Sequence, residues 1–99
     1  MATKNIKQGQ LFLTTTSWDA FHMRKNPHGI WVPKQREDNR FLISPYAMLV
    51  KSTLPPNTPA MYIGTDGRPN VGVFLVADTF YELPYNILKQ IEEVNNDNS

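Results

Sequence analysis

The chain has 99 residues, ten Lys/Arg against nine Asp/Glu, two His and no Cys. That length suits one compact domain, since a second core would leave neither half stable, and the reading is a single domain over 1–99 with an ordered core at about 9–94 and flexible ends at 1–8 and 95–99. The missing cysteine excludes a disulfide framework, a thiol nucleophile and any Cys-based zinc or iron–sulfur site, and is compatible with a reducing cytoplasm, the expected location. A hydrophobic share of 40% argues against general disorder. No run approaches the roughly 18 apolar residues that span a bilayer, and Met1 to Gln10 is too polar for a secretory signal, so a soluble, uncleaved chain with no membrane partner is expected.

Charge is uneven along the chain. Residues 1–51 hold eight Lys/Arg and three acids, and residues 52–99 hold two and six. An anionic partner for the first half is one consequence, an ordinary solvated surface the other.

In chain order, Gln10–Thr16 carries an aromatic and β-branched run and reads as the first strand. From Ser17 to Arg40 the breakers Asn26-Pro27, His28-Gly29, Pro33 and Glu37-Asp38-Asn39 predict a long hairpin-like loop, with Gly29–Val32 its one stretch able to pair and Phe41–Ile43 its return. Tyr46–Lys51 reads as a strand beyond Pro45. Leu54–Pro59, with three prolines in six residues, reads as a rigid connector. Ala60–Ile63 and Val71–Val76 form a hairpin across Thr65–Asn70, where Asp66 and Gly67 tolerate positive φ. Val71–Val76 is apolar on both faces and so central, with a bend or close backbone approach at Gly72. Thr79–Leu83 is the last strand, ended by Pro84. Pro84 or Asn86 then opens a short C-terminal helix with Ile87, Leu88, Ile91 and Val94 on its apolar stripe. The expected fold class is all-β: a small five-stranded open barrel with a long loop after the first strand and one short C-terminal helix.

This order, and above all Pro59–Gly64, Val71–Val76 and Thr79–Pro84, resembles the small Src-homology-3-like (SH3-like) β-barrels found among the short accessory proteins of tailed bacteriophages. The resemblance implies a fold more than a function, and a phage-encoded modulator or inhibitor of a host protein is the role it suggests. Signalling members of that fold bind proline-rich peptides beside an acidic loop. Here the loop carries Arg24, Lys25, Lys34, Arg36 and Arg40 against Glu37 and Asp38, so peptide binding of that kind is not carried over.

The densest chemistry lies between Trp18 and Trp31. Trp18, Phe21, His22, Arg24, Lys25, His28 and Trp31, continued by Lys34, Arg36 and Arg40, combine rigid aromatic area with cations, as a contact surface for a protein or a nucleic acid requires. The alternative is that the aromatic residues cap the barrel while the cations stay in water. His22, His28 and Asp19 lack metal-site spacing, and Ser17, Asp19 and His22 lie too close in sequence to converge as a triad. Gly64, Gly67 and Gly72 open no helix and are turn or bulge residues rather than a phosphate loop. No catalytic residue, metal or cofactor is expected. The sequence favours a non-enzymatic module for a protein partner, with nucleic-acid binding by the basic half, or self-assembly through strand edges, as alternatives.

Overall fold

The computed structural model describes residues 6–35 and 49–91. Among them lie nine strands and one 3-10 turn: β1 (Leu11–Thr14), β2 (Trp18–Phe21), β3 (Met23–Lys25), β4 (Trp31–Pro33), β5 (Lys51–Leu54), β6 (Pro59–Gly64), β7 (Val71–Val76), β8 (Thr79–Pro84), the turn Tyr85–Ile87, and β9 (Leu88–Gln90). The described strands form three antiparallel sheets and not one closed barrel: β8-β7-β6-β1-β9, the pair β2-β5 and the pair β3-β4.

The centre of the large sheet is the β6-β7-β8 meander. Its first hairpin turns at Gly67, whose φ of +94° suits a residue without a Cβ. Local bonds fix that loop: the Gly67 N–H donates to Thr65 Oγ1 and the Arg68 N–H to Asp66 Oδ1. The second hairpin pairs Val76 with Thr79 and turns at Ala77, with φ +57°. A register shift between Tyr62 and Gly64 marks a bulge in β6.

Cross-strand partners share a face. Tyr62, Phe74 and Tyr81 are therefore on one side of the sheet, as are Gly72 and Leu83, and Phe12 stands opposite Ala60. This inner face forms the core. Phe12, Phe74, Tyr81, Leu83, Tyr85, Ile87 and Leu88 cluster with Ala20 of β2 and Leu54 of β5. Phe12 meets Phe74 edge to face at 5.8 Å between centroids, and each such fully buried ring contributes about 2–3 kcal/mol. The close approach expected at Gly72 is made by two tyrosines, since a Cβ there would lie 2.8 Å from both Tyr62 Cε1 and Tyr85 Oη.

The proline connector is anchored by a buried polar residue. Thr14, fully buried, donates through Oγ1 to the Pro55 carbonyl and accepts there from the Thr58 N–H, both at 2.9 Å. The Asn57 N–H adds a bond to the Thr14 carbonyl. Pro55 and Pro56 supply no N–H of their own, so Thr14 holds a segment that cannot join a ladder.

Two expectations require correction. The predicted C-terminal helix is absent where described: Leu88–Gln90 is β9, paired with β1 as Phe12↔Gln90 and Thr14↔Leu88. Thr15 fastens the preceding turn through its N–H and Oγ1, both donating to the Ile87 carbonyl. A stripe of two helical turns is marginal by itself, whereas the open edge of β1 offers a row of unpaired backbone groups; the edge wins. The expected long loop after the first strand instead holds, among its described residues, the strands β2, β3 and β4. The expected strand Phe41–Ile43, the first half of Tyr46–Lys51, and helix residue Val94 lie outside the described residues.

Candidate partner-binding groove

The β3-β4 hairpin is built locally. Asn26 Oδ1 accepts from the His28 and Ile30 N–H groups, and the Gly29 N–H returns to the Asn26 carbonyl, with Gly29 at φ +80°. An Asn that caps its own turn with a Gly at the left-handed position closes the hairpin. At its base three chain segments meet at His22. The His22 N–H donates to Val50 O (2.8 Å), the Val50 N–H to Lys34 O (3.0 Å) and the Lys34 N–H to His22 O (2.8 Å). His22 also bridges to Tyr81 of β8, tying this junction to the large sheet.

The outer face of the large sheet carries its own apolar row. Leu11 stands beside Met61, Met61 beside Leu75, and Leu75 beside Phe80. A face this apolar must be covered or used. Trp31 of β4 reaches across to Phe80, with ring centroids 4.8 Å apart, and lies over Gly64, where a Cβ would sit 3.8 Å from the indole Nε1. The cover is incomplete. Between hairpin and sheet runs a groove of about 520 Å³, walled by Met23, Trp31, Ile63, Leu75 and Phe80, with Gln8, Arg24 and Lys25 at its polar margin. A second cavity of about 290 Å³ shares Met23, Arg24 and Phe80 with it and adds His22, Lys34, Asp78 and Thr79. The two adjoin at these three shared residues and are together termed the trough.

Positive charge in the trough comes from Arg24, Lys25 and Lys34, all exposed, against one acid, Asp78. The Lys25 ammonium stands 5.4 Å from the Trp31 ring centroid, a cation–π arrangement. Burial, then the nearby Lys34 charge, lowers the His22 pKa below its ordinary 6.5, so the imidazole is neutral at pH 7. Its Nε2 shares a 2.8 Å hydrogen bond with Ser52 Oγ, and its ring meets Tyr81 edge on.

Beside the trough the outer face buries a carboxyl. Glu82 lies opposite Val73, and its Oε2 approaches Arg68 Nη1 at 3.1 Å without making a hydrogen bond. Burial, a hydrogen bond with Asp66 and the Asp66 charge together outweigh Arg68 and raise the Glu82 pKa to about 7. On the inner face, burial and a hydrogen bond with Tyr62 push the Tyr85 phenol above its ordinary range, leaving it protonated.

The residues singled out from sequence separate into several places. Trp31, Arg24, Lys25, Lys34 and His22 line the trough. Trp18, 40% exposed, borders a different depression with Ser17 and Asp19. Phe21 stands opposite Lys51, whose ammonium lies 5.9 Å from its ring centroid. His28 is exposed in the hairpin turn, and Arg36 and Arg40 lie outside the described residues. Asp19 accepts from the Thr53 hydroxyl while His22 pairs with Ser52, so Ser17, Asp19 and His22 do not form a relay. Among the described residues no three His, Cys, Asp or Glu gather as a metal site, and no helix is long and apolar enough to cross a membrane.

The other wall of the trough, Ile63, Leu75 and Phe80, comes from strands that the sequence reading gives to the core. The available signal was the two-faced apolarity of Val71–Val76, which requires a second layer on the far side. Compared with protein-family models, with curated proteins and with solved structures, the chain shows no match.

Proposed function

We propose that the chain is a non-enzymatic binding module that engages a protein partner through the trough between the β3-β4 hairpin and the outer face of the sheet. The observation that carries this reading is the tilted Trp31–Phe80 ring contact, which ties the hairpin to the sheet and has an apolar groove of about 520 Å³ beside it. Half-buried aromatic anchors beside an unfilled apolar cavity, rimmed by cations, are what protein-recognition sites present. For nucleic acid the same residues are less suited. Trp31 already has Phe80 against it and Lys25 over its ring, so it is not an open platform for a base.

We read the fold as an SH3-like open barrel of the bacteriophage accessory type, acting on a host protein in the cytoplasm. The β6-β7-β8 meander and the His22–Tyr81 bridge, which links the meander to β2 and β3, support the barrel reading.

Selection of a random-peptide library on the immobilised protein tests the binding role. Peptides are expected to enrich and to lose at least about tenfold in affinity on Trp31→Ala, while that variant still unfolds cooperatively. Enrichment of peptides indifferent to Trp31→Ala, or of none, would refute it.

A further inference from the structure

We infer that the trough is shaped for an acidic, extended segment of a partner protein, which seats one bulky apolar side chain against Trp31 and Leu75 and meets Arg24, Lys25 and Lys34 with carboxylates. This rests on the partner-binding reading and specifies its occupant.

Shape and charge carry the argument together. The groove wall is apolar, and its volume is of the size that takes one or two large side chains. The adjoining cavity shares Met23, Arg24 and Phe80 with it and carries the lining from Lys25 and Trp31 on to His22 and Lys34, in line with the hairpin arms. A chain lying in such a line places successive side chains at different stations: an anchor in the groove, neighbours along the rim.

The rim selects carboxylates. Three cations face the trough, and one acid, Asp78, whose Oδ1 is already engaged by the Thr79 hydroxyl. Among the described residues the one ion pair joins Arg68 to Glu82, so Arg24, Lys25 and Lys34 are not paired there. His22 sits within the same cavity, hydrogen-bonded to Ser52. Arg24 is the pivotal residue because it borders both cavities and presents a planar fork that suits a carboxylate.

Fluorescence anisotropy with short labelled peptides tests this. The probes share a central Leu-Trp pair and differ in flanks: Glu/Asp, Ser/Gln or Lys/Arg; a labelled single-stranded RNA is the fourth. The acid-flanked peptide is expected to bind at least about tenfold more tightly than the Ser/Gln peptide, and the basic one least. Arg24→Glu with Lys25→Glu should reverse that ranking while the melting temperature stays within a few degrees, since both side chains are exposed. Equal binding of acidic and neutral peptides, each lost on Trp31→Ala, would overturn the acidic occupant and leave the partner-binding role standing. RNA binding tighter than the acidic peptide and abolished by the charge reversal would overturn both, as would no Trp31-dependent binding of any peptide.

Discussion

On the inner face of the five-stranded sheet, Phe12, Phe74, Tyr81 and Leu83 are sealed by Ala20, Leu54 and the Tyr85–Leu88 segment. On the outer face, Leu75, Phe80 and Ile63 meet a hairpin that contributes Met23 and Trp31 and stops short of closing the space. Both faces are built from the same residue types on the same strands. What differs is the supply of covering side chains: the inner face receives them from β2, β5 and the 3-10 turn, the outer face from a hairpin with three-residue arms. Apolar area that is fully covered contributes to stability; area left half covered is available for association.

The largest expected effect falls on the sealed face. Gly72→Ala would drive a methyl to 2.8 Å from Tyr62 and Tyr85 in the core, and is expected to cost about 2–3 kcal/mol in urea unfolding. A cost below about 0.5 kcal/mol would mean that the inner face is as loosely filled as the outer one.

A smaller effect is expected from the outer face, and it depends on pH. The raised Glu82 pKa means that the folded state keeps a proton which the unfolded chain releases near pH 4.5. The group therefore stabilises least above pH 7, and the deficit disappears as pH falls through 7 toward 4.5. Glu82→Gln, neutral at every pH, should gain about 1–2 kcal/mol over the parent at pH 8, a figure discounted for screening by Arg68 and solvent, and nothing at pH 4. His22 works in the opposite sense, because its lowered pKa stabilises the fold above pH 6.5 and that contribution is lost as pH falls through its folded value. The difference between variant and parent, measured by thermal melts across pH, isolates Glu82. A gain of equal size at pH 4 and pH 8 would show that the carboxyl is not the source.

The meander was legible because local signals agree with tertiary ones there. Asp66-Gly67 supplies the turn, and the two-faced apolar run Val71–Val76 together with Thr79–Leu83, ended by Pro84, supplies the strands. The end of the chain misled because Ile87, Leu88 and Ile91 fit a helical period, yet the fate of that segment is decided by the open edge of β1, some seventy residues earlier in sequence. Half of the trough was legible as well. The aromatic and basic residues of Trp18–Lys34 stand out in any reading, but which of them converge depends on pairings between β2 and β5 and between β3 and β4. Those pairings send Trp18 and Phe21 away from Trp31. Phe80 carries no local mark of its role: its alternation with Tyr81 places one ring in the core and the next in the groove.

The most direct measurement is a methyl-resolved NMR titration of the labelled protein with the acid-flanked peptide. Shifts are expected at Met23, Ile63 and Leu75, which wall the groove, with Leu54, Leu83 and Leu88 of the sealed core unmoved. Shifts that leave Ile63 and Leu75 untouched, or that spread equally through the core, would contradict a binding surface confined to the half-covered face.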